Sequence, residues 1–379
     1  MAYTELDDAL AITKWRNDYW QEYVRTSGYK RYMAASPNAI ITATRELTDG
    51  GKDLVIPLIG SLSGGGTGSG LLTGAEERLG TFPFRTRPVW RRNAVVIKKS
   101  TVQKSNLELL NANKASLKIW SSDDMRRRMG LAFTTVAFDD TVYDEESGTQ
   151  NAVYYANATA TQKNNWLSDN YNRAIFGVSQ ANTVAGNAAS SLANVDGTND
   201  NWSAAMIDAM VDMAQYRDET LTPQRRALRP YRSESDDGEE MFVLFVGSRS
   251  FNKLKADPDI KAFNKDSRER TVASNPYFTG GDLIWNNVVI HKVPEQRFLL
   301  PGAGAGGVDV EMGFFCGAQA LVVAWGQDPI TTKRTDDDYQ FIKGVGTEEL
   351  RSIDKTFFKE SNAVGPGTQW GTITGFGAV

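Results

Sequence analysis

The period of apolar positions changes several times along the chain, and each change marks a candidate element. Thr4 and Asp7 have the separation of a capping box, and Ile12, Trp15, Tyr19 and Tyr23 then recur at three- and four-residue spacing. An amphipathic helix with an aromatic stripe is therefore predicted at the start, either packed on the protein's own core or docked on a neighbouring subunit. After Ser36-Pro37 the pattern becomes that of strands in AIITATREL and DLVIPLI. The run GSLSGGGTGSGLLTGAEERL, from Gly60 to Leu79, cannot hold regular structure, and FPFRTRPVWRRNAVVIKK returns beyond it with β-branched and aromatic residues. That arrangement predicts a long hairpin. From Val102 to about Met129 the chain reads as its longest helix, with Leu107, Leu110, Leu117 and Trp120 on one face and Ala112 and Ala115 favouring the state. Arg126, Arg127 and Arg128 near its end suit the helix dipole and read as a solvated face or a phosphate site.

The pattern fades between Asp139 and Asn201, where Asn, Ala, Ser and Thr dominate and Trp166, Tyr171, Ile175 and Phe176 are scattered anchors. Loops and short helices on an exposed surface are expected there. Met206, Met210 and Met213 restore helical spacing and read as core. A mixed α and β unit follows: the strand EEMFVLFVG, Ser248 as an N-cap, and a short helix through Phe251 and Leu254 ending near Asp257-Pro258. LIWNNVVIHKV alternates as a further strand that contains His291, and VDVEMGFFCGAQALVVAWG reads as an extended apolar segment around Cys316.

Composition narrows what such a chain can do. Its 379 residues are enough for two or three domains, and 41% hydrophobic residues give it a packed interior. Lys plus Arg number 42 against 46 Asp plus Glu, a net charge of -4, which argues against a chain dedicated to neutralising phosphates. One histidine and one cysteine cannot supply a four-ligand zinc site or an intrachain disulfide. The Gly60 to Leu79 run lacks the Gly-Lys-Ser/Thr ending of a phosphate loop. Gly302, Gly304 and Gly307 match G-x-G-x-x-G, but Pro301 precedes them and an extended segment follows, so a mobile loop is expected. No catalytic residue, metal or cofactor is expected. The N-terminus has no basic and apolar leader pattern, and the longest nearly apolar run, Phe314 to Trp325, is shorter than the about 20 residues of a membrane span. A soluble protein on the cytoplasmic side is expected.

Taken in order, LTGAEERL, RRNAVVIKKS, LTPQRRALRPY before EEMFVLFVGSRSFNKLKADPD, NPYFTGGDLIWNNVVIHKV, GFFCGAQALVVAWG and DDDYQFIKGVGTEELRSIDKTFF resemble the major capsid proteins of tailed bacteriophages, in particular the N4-like podophage branch. The resemblance implies the α+β coat fold of the Hong Kong-type phages. That fold has an N-terminal arm (1–45), an E-loop hairpin with flanking P-domain strands (46–101) and a P-domain spine helix (102–135). An A-domain with an Asn-rich insertion (136–309), P-domain strands and loop (310–358) and a C-terminal strand returning to the A-domain (359–379) complete it. It further implies that copies assemble as hexamers and pentamers into an icosahedral shell around double-stranded DNA contacted non-specifically. A separate scaffolding protein and portal, and optionally a decoration protein, would serve as partners. With about 45 residues ahead of the hairpin, no large scaffolding domain is expected at the N-terminus.

The site residues that follow are contacts rather than catalysts. Glu76 and Glu77 on the E-loop face either solvent or an arginine of a neighbour, with Arg91, Arg92 and Arg126 to Arg128 as candidates, and Trp15, Tyr19 and Tyr23 dock the arm. No lysine lies between Lys52 and Lys98, so the hairpin lacks the donor for the covalent cross-link that some relatives make. Two rival readings remain open: an encapsulin-like cellular shell, and a nucleotide-dependent enzyme using a glycine loop.

Overall fold

Two runs of β-branched and aromatic residues become the inner strands of two separate sheets. The computed structural model describes residues 28–59, 68–69, 73, 81–98, 109–138, 151–215, 228–232, 240–268, 282–294, 298–334, 341–359 and 367–379. A five-stranded sheet runs in the order β1 (Met33–Ala34), β2 (Ile41–Thr44), β15 (Leu321–Lys333), β16 (Ile342–Lys355), β5 (Val89–Lys98). β2 lies parallel to β1 and β15, whereas β16 is antiparallel to both β15 and β5. The eight-stranded sheet has the order β11 (Leu283–Trp285), β12 (Val288–Lys292), β10 (Glu240–Val246), β14 (Val310–Cys316), β19 (Thr372–Ala378), β8 (Ala174–Phe176), with β9 (Tyr231–Arg232) beside β10 and β13 (Leu299–Leu300) beside β14. Three two-stranded pairs complete the sheets: β3 (Leu54–Ile59) with β4 (Thr81–Thr86), β6 (Thr135–Ala137) with β7 (Ala152–Tyr154), and β17 (Phe357–Phe358) with β18 (Thr368–Gln369).

The described helices are α1 (Leu109–Phe133), α2 (Ala160–Asp169), α3 (Ala188–Ala193), α4 (Ala204–Gln215), α5 (Ser248–Ala256) and α6 (Pro258–Arg268). α1 is the longest of them at 25 residues, about 37 Å at 1.5 Å per residue, and ends at Phe133 rather than Met129. Its buried face holds Leu117, Met125, Met129 and Phe133, but also Ser121, Ser122 and Asp124. The expected capping box at Thr4 and the stripe of Trp15, Tyr19 and Tyr23 lie outside the described residues. Tyr29 and Tyr32, just after them, are buried in the main core.

β14 and β19 are buried at every position, so their sequences do not alternate; apart from Glu311 and two threonines they are apolar or small. Gly313, on β14, is required: a Cβ there would stand 2.3 Å from Cη2 of Trp202, whose indole lies flat against the sheet and donates from Nε1 to Glu311 O at 3.1 Å. α4 covers the same face with Met206, Ile207 and Met210, so these methionines are core as expected.

Five local expectations are corrected. LIWNNVVIHKV is a hairpin, because Asn286 and Asn287 both take positive φ (45° and 59°) and turn β11 into β12. VDVEMGFFCGAQALVVAWG is two strands in different sheets; the chain crosses between them at Gly317–Ala320, where Gln319 has φ 56°. Ser248 is the first helical residue of α5 and not its cap, a role supplied from β14 by the buried Glu311 carboxylate, which accepts from Ser250 N at 2.6 Å. The polar 139–201 stretch is not all surface, since β8 within it is wholly buried and pairs with β19. The glycine loop Gly302–Gly307 is a bonded turn, in which Ala305 N donates to Val195 O at 2.8 Å and Gly302 N to Asp309 Oδ1 at 2.9 Å.

Candidate functional site

The hairpin β3–β4 pairs with no third strand among the described residues. Two strands alone are marginal in water, so the hairpin depends on its inner face. Strict alternation turns Leu54, Ile56, Leu58 and Phe84 inward onto Val322, Ala324, Phe358 and Trp370. The same alternation leaves Val55 and Ile59 outside at 49% and 44% exposure. Arg87 closes the base, donating from Nη2 to Asp53 Oδ2 at 3.1 Å, and this hydrogen bond holds the Asp53 carboxyl below the usual range. Thr86 anchors the hairpin to β16 through Ser352 Oγ at 2.6 Å and the carboxyl of Asp354, whose burial raises its pKa.

A buried charge network ties α1 to β16. Spacings of three and four residues bring Arg127 and Arg128 back over Asp124, each at 3.0 Å. Arg351, from β16, donates from Nη2 to the same carboxylate at 2.6 Å, and its Nη1 lies 2.8 Å from Glu349 Oε1. Asp124 and Arg351 are about as buried as a charged pair can be, at 2% and 1% side-chain exposure. Burial pushes the Asp124 carboxyl up, but Arg351 and Arg128 outweigh it and hold the group below the usual range.

The candidate contact residues separate into groups. Arg91 and Arg92 stand opposite Glu349 and Glu348 in the β5–β16 register. Arg92 is exposed and lies 3.2 Å from Glu348, whereas Arg91 is half-buried. Arg126 faces Asp123 at 2.9 Å on the exposed side of α1. Arg91 and Arg128 meet Arg87 and Arg351 around one cleft of about 400 Å³, whose lining does not include Arg92 or Arg126. Glu76, Glu77, Trp15, Tyr19 and Tyr23 lie outside the described residues. Sequence reading missed Arg351 and Asp124, although the i, i+3 and i, i+4 spacing of Asp124 to Arg127 and Arg128 was a readable signal for half of the network.

The two residues with the greatest catalytic potential are structural. His291 Nδ1 lies 2.8 Å from Asp282 Oδ1, and the other oxygen of that carboxylate holds Arg31. Cys316 is fully buried, and burial pushes its thiol up, away from a reactive thiolate. Among the described residues no group of three acidic, His or Cys side chains could hold a metal ion, and no helix is long and apolar enough to cross a membrane.

Lys355 is the unexpected titratable group. Its Nζ donates to Phe133 O at the end of α1 at 3.0 Å, and burial pushes its pKa down to about 7. In the unfolded chain the amine titrates at its ordinary value of 10.5, so between these pH values the unfolded state binds the extra proton. The resulting penalty is full below about pH 7 and vanishes toward the upper value. Lys355→Met should therefore gain stability relative to the parent at about pH 6 and lose most of that advantage by about pH 9.5, read from paired melting curves. A pH-independent difference between the two proteins would refute this.

Comparison with known proteins gives one answer. The family described as phage capsid protein matches residues 3–379. The major capsid protein of Pseudomonas phage KPP25 is 27% identical over 371 residues, 95% of this chain and 93% of that protein. Among solved structures, the cyanophage Pam1 capsid has a TM-score of 0.75 at 27% identity, covering 100% of this chain and 94% of that one. The capsid of Ralstonia phage GP4 has a TM-score of 0.69 at 20% identity, covering 93% and 90%.

Proposed function

The chain belongs to the phage capsid protein family, and on that premise we propose that it closes as hexamers and pentamers into an icosahedral shell around double-stranded DNA. It is a major capsid protein, a structural component of the virion with the α+β Hong Kong-type coat fold, and not an enzyme. On this reading β3–β4 is the base of the E-loop, α1 the spine helix, the five-stranded sheet the P-domain, and the eight-stranded sheet with the returning β19 the A-domain. The motif order from LTGAEERL to DDDYQFIKGV supports membership of the N4-like branch. Assembly takes place in the host cytoplasm with a separate scaffolding protein and portal, and optionally a decoration protein.

The observation that carries the assembly reading is the hairpin. Among the described residues it pairs with no third strand, and it keeps apolar Val55 and Ile59 outside, a surface with no use in a monomer. A reaching loop multiplies contacts between copies in a closed symmetric shell without enlarging the core. Glu76 and Glu77 are assigned to Arg91 or Arg92, or to Arg126 to Arg128, of a neighbour, and Trp15, Tyr19 and Tyr23 to docking of the arm.

The test is assembly of the parent and of Glu76→Ala with Glu77→Ala, followed by electron microscopy and by heating in rising salt. Each exposed ion pair contributes only about 0 to 1 kcal/mol, so the expected loss is a lower disassembly temperature summed over many copies and not a failure to fold. Variant shells with the parent's heat and salt tolerance would remove the acidic contact. Parent particles that hold a protein cargo and no long double-stranded DNA would replace the virion reading by the cellular-compartment one.

A further inference from the structure

The five-stranded sheet is covered unequally on its two faces. Arg351 of β16 turns toward α1 and reaches Asp124, and Val89 of β5 stands opposite Arg351. Alternation then sends Trp90, opposite Leu350, to the face away from α1, together with Arg92, Ala94 and Val96. Ser352 and Asp354 share that second face with Val322 and Ala324, and there the β3–β4 hairpin covers it. Along β5 the cover stops. Trp90 and Val96 are 47% and 49% exposed, and Ala94 between them is exposed as well. Arg92, within the same strip, is paired with Glu348 at 3.2 Å, so its charge is offset inside the copy. Opposite Ala94 and Val96, β16 carries Gly346 and Gly344, and no side chain of that strand rises beside them.

A second open strip lies on the hairpin itself. Its inner residues pack on Val322 and Ala324, so its outer face points away from its own subunit. That face carries Val55, Pro57 and Ile59 of β3, all exposed, with Pro57 directly opposite Pro83 of β4. A proline has no N–H, so neither edge of the pair offers a complete row of donors to a further strand, and the face is what remains for contact. Large apolar side chains exposed in a row mark interaction surfaces, and Trp is enriched among the residues that dominate them. The two strips agree in kind, since each is extended and apolar with side chains two residues apart, the arrangement that interdigitates when sheets pack face to face. We propose that the outer face of β3–β4 in one copy lies on the β5 strip of a second copy, with Trp90 as its anchor. The occupant is a second copy because the chain belongs to the phage capsid protein family and the hairpin's outer face is continuous with the contact surface assigned above, so the proposal rests on that assembly reading. Two different surfaces meet in it, and such heterologous contacts close rings.

The first test uses the parent chain. Hydroxyl-radical footprinting, read by mass spectrometry, compares the unassembled full-length chain with particles assembled from it alone. Labelling of Trp90 should fall at least about fivefold on assembly, as the anchor of a contact loses its water. Equal labelling in the two states overturns the contact. The second test identifies the occupant. Pro57→Cys with Ala94→Cys places one thiol at the middle of each strip, while Cys316 is buried out of reach. In particles, a bis-maleimide spanning about 10 Å, the distance between packed sheets, should link copies into a ladder of multimers on denaturing gels. Either single variant in particles, and the double variant unassembled, should run as one chain. Particles of the double variant without a ladder, or a single variant that links copies equally well, overturn the assignment. Should the double variant fail to assemble, the parent footprint decides. Parent chain that forms no particles by electron microscopy removes the shell reading together with this contact, whereas particles in which Trp90 stays open remove the contact alone. Glu76 and Glu77 are unchanged in every variant, so the outcome is independent of the acidic contact.

Discussion

Replacing Asp124 by alanine should destabilise the subunit by about 3 to 5 kcal/mol and abolish particle formation, the cost of leaving a buried partner charge uncompensated. Arg351 cannot turn outward to water, since its side chain is 1% exposed on an inner strand of the five-stranded sheet. Glu349 would remain near it, but the shortest of its contacts, 2.6 Å to Asp124, would be gone, and Arg127 and Arg128 would lose the carboxylate that both face. Denaturant unfolding of the unassembled chain measures the effect. Arg126→Ala is the control, because its exposed pair with Asp123 lies in the range where surface changes fall within about 0.5 kcal/mol. Asp124→Leu combined with Arg351→Met should recover most of the loss, as apolar replacements of a whole buried pair commonly do. An Asp124→Ala protein that unfolds at the parent's midpoint would show that the network is incidental to the joint between α1 and β16.

This network also shows where sequence reading ends. The positions that follow one period were legible: β10 from its apolar run, α4 from its methionines, the alternating β3 and β5 around the hairpin, and the long helix. α1 was located through its leucines and Trp120, yet Trp120 is only half-buried and Ile119 is 63% exposed, while Ser121, Ser122 and Asp124 face inward. Asp124 is buried there because its partner, Arg351, comes from 227 residues away in sequence, and a local pattern carries no trace of such a pairing. The same limit explains β8. Three residues, Ala174 to Phe176, are too few for a period, and their burial is decided by β19 and the stacking of Phe176 on Phe376 at 4.4 Å. The β11–β12 hairpin differs in kind, since its Asn-Asn pair is a local turn signal that can be read wherever it is flanked by apolar runs. For the candidate site, Arg91 and Arg128 were visible as basic residues, but the cleft that joins them to Arg87 and Arg351 exists only once β5, β16 and α1 are packed.

The second large effect is expected at the C-terminal end of the same helix, where Phe133 joins α1 to both sheets. Its ring is fully buried, stacked on Phe314 of β14 at 5.4 Å and tilted against Phe245 of β10 at 5.1 Å, with Tyr29 at 6.5 Å from the segment that leads into β1. Its carbonyl accepts from Lys355 of β16. One residue therefore fixes the eight-stranded sheet through its side chain and the five-stranded sheet through its backbone. Phe133→Ala should destabilise the chain by about 3 to 5 kcal/mol, the range for deleting a buried aromatic ring whose surroundings relax only partly. The backbone bond to Lys355 survives the substitution, so the loss reports packing alone, and Phe133→Leu should restore the greater part of it by refilling the space. The unassembled chain's denaturation midpoint gives the comparison, and particle yield should follow the same order of parent, leucine and alanine. A loss under about 1 kcal/mol for the alanine variant would mean that the ring cluster can close over the cavity, and that the helix is held to the eight-stranded sheet by contacts other than this one.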